Sequence, residues 1–244
     1  MLSDKPWKLE TVLFFGTGVF ACLAFGMLGT TGLNLLLSDM KSADREFYRF
    51  LPGALGLHVA PLFLAHYFLR QNGVTWGEFL GTSRPALGRA MLRAVVVALV
   101  ATPVALTLNA YSAEIITALR SKPAEMQPSM QVLEISYTLG KRLLFSFAGI
   151  VLAPVAEEIL FRGVLYTTVK EAGYPRLALF GTSLFFAAFH MSAMAFVPLT
   201  FFAIVLTLLY ERTGRLLAPI AAHATFNAVN IFAYIVQHDM VGRS

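Results

Sequence analysis

The sequence predicts an all-α membrane protein, a bundle of about seven transmembrane helices (six to eight) whose chemistry lies in the C-terminal half. Three observations carry that reading. Hydrophobic residues make up 57% of the chain and charged ones 14%, against roughly 45–50% and 25% in soluble domains. A core of this size cannot hide that much apolar surface from water, so most of it must meet lipid. The apolar residues also fall in unbroken runs close to the roughly 20 residues that a bilayer requires. Continuous runs without polar–apolar alternation exclude a closed β-barrel.

In chain order the runs are 11–37, 50–69, 90–111, 143–169, 176–194, 196–210 and 216–236. The first is too long and too weakly punctuated for a cleaved signal peptide and is kept as a span. It holds Cys22, the only cysteine, which rules out an intrachain disulfide and a Cys-rich metal site and reads as a small buried hydrophobe. Residues 38–49 read as a plain connector. His58 and His66, in the second run, read as packing or hydrogen-bonding residues. Arg93 stands near the start of the third, where it can snorkel outward. The segment 112–142 is longer and partly amphipathic, broken by Pro123 and Pro128, and suits an interfacial stretch or a lid. No repeat or polar linker divides the chain. Residues 1–244 therefore read as one membrane domain, with motif-free helices over 11–111, a connector over 112–142 and a catalytic core over 143–237. The net charge of +5 comes from loop lysines and arginines, as an anionic membrane surface favours, and calls for no nucleic acid. These charges divide almost evenly between the two sides, so the positive-inside rule only faintly favours a cytoplasmic N-terminus.

A charge at the bilayer centre costs about 2.5–3.5 kcal/mol on insertion scales, so residues that bear one normally face a bundle interior and have a function. Those left after the flanking charges are set aside are Glu157, Glu158 and Arg162 in the fourth run, His190 in the fifth, and His223 with Asn227 in the seventh. Three helices thus contribute, as bundle-core sites usually require. Glu158 and Arg162 are four apart with the acid first, the favourable order for an ion pair along one helical stripe. Glu157 is turned about 100° away and must face another neighbour. Burial beside a second carboxylate is how enzymes bring a glutamate into range for proton transfer near neutral pH. The expectation is that Glu157 is a general base and Glu158–Arg162 its brace. His223 and Asn227 share one helical face and can donate to an oxyanion. Phe186, four residues before His190, supplies an aromatic wall or simple packing.

"EEILFR", "FAAFH" and "HATFN" fit EExxxR, FxxxH and HxxxN in that order on successive predicted helices. Together they resemble the CPBP superfamily, which includes the CAAX prenyl endopeptidases and the Abi-type bacteriocin-processing and self-immunity proteins. The resemblance covers roughly residues 140–237 and departs at no motif position. It implies an intramembrane endopeptidase in which Glu157 and His190 activate a water, His223 and Asn227 stabilise the tetrahedral oxyanion, and Glu158, Arg162 and Phe186 support them.

No cofactor is expected. The alternative is a zinc held by Glu157, His190 and His223, a ligand set that suits a catalytic zinc with one open position but would consume the base. An HExxH site is absent from the sequence, and a paired-aspartate mechanism fails because Asp4, Asp39, Asp44 and Asp239 lie outside the predicted spans. A serine dyad of Ser183 with His223 is conceivable in order but leaves the carboxylates without a role. Outside catalysis, the same residues could serve a non-catalytic binding or self-immunity protein or a small transporter, although no internal repeat supports transport. The expected partners are membrane lipid and a membrane-associated protein or peptide substrate, a prenylated CAAX-type protein among the candidates. The setting expected is a prokaryotic plasma membrane.

Overall fold

The structure, a computed structural model, describes residues 7–38, 40, 42–83, 85–121, 127–136 and 138–241; Asp4, Asp39 and Pro123 lie outside them. The described residues form helices α1 (Leu9–Leu36), α2 (Asp44–Gln71), α3 (Trp76–Leu80), α4 (Leu87–Arg120), α5 (Pro128–Glu134), α6 (Leu139–Glu171), α7 (Pro175–Phe189), α8 (Ala193–Thr213) and α9 (Leu217–Val241). Six of them, α1, α2, α4, α6, α8 and α9, are long and apolar enough to cross a membrane. The outward faces are apolar, with Phe25, Leu36, Phe63 and Leu119 more than two-thirds exposed. That is the pattern of a surface solvated by lipid.

The expected seven spans become six and a shorter helix. α7 has 15 residues and extends only about 22 Å, less than the roughly 30 Å of a hydrocarbon layer. It turns back at His190–Ser192, where Met191 takes a left-handed φ of 51° and the Ser192 side chain caps α8 by accepting from the Ala195 amide. The short arm therefore leaves His190 at a helix end inside the bundle.

Two connectors differ from expectation. Helix already begins at Ser42, within what reads as a loop, because that turn is amphipathic: Phe47 is buried and lies under the Lys141 ammonium, 5.1 Å from its ring centroid. Average hydropathy misses such a turn. Residues 112–120 of the second connector simply extend α4, since no proline or glycine stands between Tyr111 and Ser121. α5 packs against the bundle end, with Leu133 buried beside Phe145 and Ile231.

Small residues set the close crossings, as they do where lipid removes the hydrophobic drive between helices. α4 buries a stripe of Ala90, Ala94, Ala98, Ala101 and Ala105, which lets α8 and α9 pack along it. α1 meets α2 at Gly26 and Gly56, where a Cβ on Gly56 would stand 2.6 Å from the Cys22 carbonyl oxygen. At the chain start, the Trp7 indole donates to the Gly163 carbonyl at 3.1 Å and to the Thr167 hydroxyl at 2.8 Å, tying the first residues to α6.

Three stretches leave the α register for the wider π turn: Leu55–Val59 in α2, and Ala148–Leu152 and Ile159–Tyr166 in α6. Such turns insert a residue, rotate the rest of the helix about its axis and are frequent at functional sites. The Leu55–Val59 turn, the α9 helix and the Ala148–Leu152 turn all pack on Ala153–Glu158.

The α1–α2 crossing yields a direct test. Gly56→Val forces a branched side chain against backbone, which should cost about 1–3 kcal/mol and lower the thermal midpoint in detergent. Gly16→Val, with no atom within 4 Å of its Cβ, should leave the midpoint unchanged.

Candidate active site

The deepest polar group is an ion pair. The Arg162 guanidinium donates from Nη1 to Glu158 Oε1 at 2.8 Å, with the two side chains 1% and 0% exposed. A buried pair in so apolar a setting gains from further hydrogen bonds. Arg162 finds them on α8, where Nη2 donates to the Ala203 carbonyl at 2.8 Å and Nε reaches the Thr207 hydroxyl at 3.4 Å, while Glu158 Oε2 is buried without a partner. Its guanidinium also lies 4.8 Å from the Phe186 ring centroid, within cation–π range. Phe186 is thus more than a wall beside His190, since it packs on Arg162, His190 and His223 alike.

Glu158 has a second partner that helix spacing does not reveal. Its Oε1 lies 2.8 Å from His223 Nδ1. With Glu158 ionised against Arg162, that nitrogen carries the proton and donates it, and the other ring nitrogen turns away. His190 is fixed in the same way by a different acceptor: Nδ1 lies 2.8 Å from the Phe186 carbonyl oxygen, which can only accept, so Nδ1 is the protonated nitrogen. Both rings then direct Nε2 at one atom, Glu157 Oε2, which is 3.9 Å from each. That oxygen is buried and has no hydrogen-bond partner. Glu157 and His190 are the more open members, 13% and 23% exposed, against 5% for His223. Beside the His190 turn a surface cavity of about 390 Å³ is lined by Ala187, Ala188, Met191, Ser192, Ala193 and Phe196.

Asn227 is placed differently from its expected convergence with His223. Its side-chain nitrogen donates to the Gly149 carbonyl at 2.7 Å. The π register explains the contact. The Ala153 amide donates five residues back, to Ala148, so the next donor in register, for Gly149, would be residue 154. That residue is Pro154 and has no N–H. Asn227 therefore satisfies the carbonyl that the proline strands, about two helical turns before the glutamates.

Glu157, Glu158, Arg162, Phe186, His190 and His223 are thus brought together, and Asn227 lies on the neighbouring turn. Sequence reasoning misses Ala203, Thr207 and Phe202 of α8, whose ring lies 5.8 Å from His223, because a backbone carbonyl, a threonine and a phenylalanine in an apolar run carry no distinguishing signal. Ser183 is committed elsewhere: it is 1% exposed and its hydroxyl donates to the Leu179 carbonyl of its own helix at 2.7 Å. Among the described residues no three His, Cys, Asp or Glu side chains are gathered as a ligand set. The 3.9 Å separations of Glu157 from the two imidazoles exceed the roughly 3.3 Å between ligands of a tetrahedral zinc with bonds near 2.0 Å.

Removing one partner of the ion pair strands the other charge. Arg162→Met should cost about 3–5 kcal/mol, read as a large fall in the thermal midpoint of the detergent-solubilised protein. The double variant Glu158→Gln with Arg162→Met should be closer to wild type than Arg162→Met alone.

Residues 139–229 match the family described as type II CAAX prenyl endopeptidase Rce1-like, and that segment contains every residue of the cluster. A curated relative, an uncharacterized protein YpbD of Bacillus subtilis (strain 168), is 38% identical over 92 residues, a stretch that covers 36% of this chain and 43% of the relative. The chain thus matches less than half of the relative's length. No solved structure gives a significant match. Residues 139–229, which supply the helices that build the site, are thus similar to the Rce1-like type II CAAX prenyl endopeptidases.

Proposed function

We propose that the chain is an intramembrane endopeptidase that hydrolyses a peptide bond of a membrane-associated protein or peptide through a glutamate-activated water. One observation carries the reading: Glu157 Oε2 is buried without a partner, 3.9 Å from the Nε2 of both His190 and His223. A water about 2.8 Å from this oxygen and from either imidazole would meet two partners at roughly a right angle, close to what a water's own geometry favours.

The reaction follows from that placement. Glu157 takes a proton from the water, and the hydroxide bonds to the scissile carbonyl carbon. His190, its Nδ1 held by the Phe186 carbonyl, keeps the water in line through Nε2. The carbonyl oxygen gains charge and is stabilised by Nε2–H of His223, whose imidazolium form is steadied by Glu158 at Nδ1 as a carboxylate steadies an imidazolium in hydrolase triads. Asn227 has one amide hydrogen on Gly149 and offers the other to the same oxyanion. As the carbon–nitrogen bond breaks, the proton on Glu157 passes to the departing amine. Glu158 and Arg162 do not move protons; they fix the imidazole that does the stabilising.

The mechanism proposed uses no cofactor. Zinc on Glu157, His190 and His223 is the second reading, favoured by one feature, the fixing of both Nδ1 atoms by outer acceptors, which is also how zinc-bound histidines are oriented. It would occupy the base. A prenylated, CAAX-type chain is the substrate class that the family suggests.

Two outcomes are expected. Mass spectrometry of protein N- and C-termini in host membranes, at matched expression, should show defined termini with the wild-type chain that vanish with Glu157→Gln. Indistinguishable termini alongside a persisting phenotype would point to a binding or immunity role. Elemental analysis should find far less than one zinc per purified chain, whereas a stoichiometric zinc lost together with activity would favour the second reading.

A further inference from the structure

The matched segment begins at residue 139, yet an earlier helix packs directly against it. His58 lies in α2, within the π turn Leu55–Val59, and that turn packs against Ala153–Glu158, the piece of α6 that carries both glutamates. The ring is 8% exposed and its Nδ1 is buried with no hydrogen-bond partner.

The local sequence accounts for the placement. Pro52 removes an amide donor early in α2, and Gly56 lets that helix sit directly on α1 at Cys22 and Gly26. The inserted π residue then rotates the positions after it relative to an ordinary helix. A residue chosen only to fill space here would be a leucine or phenylalanine. A histidine with a buried unpaired nitrogen is a costlier choice in a lipid-embedded helix, so a partner that completes it is the natural expectation. A peptide entering the site brings one: its backbone N–H and C=O groups leave water and must find partners inside.

We propose that His58 is a substrate-contacting residue of this site, its Nδ1 hydrogen-bonding the backbone of the bound peptide across from His190 and His223. The inference rests on the endopeptidase reading and adds to it. The N-terminal helices then contribute to substrate recognition and do more than enclose the C-terminal ones.

The test uses the full chain with the cleavage events defined as those lost in Glu157→Gln. His58→Leu should keep a thermal midpoint equal to or above wild type, because an apolar side chain leaves no unpaired nitrogen, yet lose about tenfold in cleavage, with a raised KM on a synthetic peptide spanning the lost junction. His58→Asn, whose amide falls near the position of Nδ1, should recover cleavage to within a few-fold of wild type. Wild-type cleavage by His58→Leu would overturn the proposal. Equal loss in both variants would also overturn it, whether or not stability falls with it. If Glu157→Gln removes no termini, the endopeptidase reading itself fails, an outcome separate from either of these.

Discussion

The site depends on a single buried charge pair. Arg162 and Glu158 meet at 2.8 Å with almost no exposure, and three neighbouring helices are positioned around them. Arg162 is held by the Ala203 carbonyl and Thr207 of α8 and lies over Phe186 of α7. Glu158 holds the ring of His223 on α9. One residue pair in α6 therefore fixes the relative positions of α7, α8 and α9. An ion pair in a low-dielectric interior is costly to form and more costly to break, which suits a device whose purpose is geometric definition. Glu157, next in the chain, is left out of this network, with an unpartnered oxygen facing two imidazoles.

The second constraint is the irregular helix that carries the acids. α6 passes through two π turns on either side of Ala153–Glu158. A proline at 154 leaves the Gly149 carbonyl without its register partner, and Asn227 fills the place. A residue that sequence spacing assigns to oxyanion stabilisation is thus tied to the backbone of the helix that carries the acids. The two roles are compatible because a carboxamide has two amide hydrogens. In α2 a third π turn, which holds His58, packs on the same stretch. Departures from the α register collect around the two glutamates, and the regular helices around them serve as scaffold.

Much of this is legible in the sequence, for physical reasons. Hydropathy finds the long lipid-crossing helices because apolar length is the requirement for crossing. The expense of charge in lipid singles out Glu157, Glu158, Arg162, His190 and His223, and four-residue spacing pairs Glu158 with Arg162. The same logic explains the features that stay hidden. Helix spacing describes one helix at a time, so it cannot show that Glu158 also grips His223 across the bundle. Residues 42–49 read as loop because their apolar side is narrow. α7 reads as a full span because hydropathy does not register that its 15 residues stop short. The π turns leave no periodic signature, and for that reason spacing does not show the bond from Asn227 to the Gly149 carbonyl.

The division between base and brace is the central claim, and the most direct measurement is stability and cleavage side by side for Glu157→Gln and Glu158→Gln in the purified chain. The account predicts that Glu157→Gln abolishes cleavage with the thermal midpoint unchanged, because no hydrogen bond to Oε2 is lost. It predicts that Glu158→Gln lowers the midpoint by several degrees as the buried Arg162 loses the negative charge that balances it. A destabilised Glu157→Gln, or a Glu158→Gln that melts like the wild type, would contradict it.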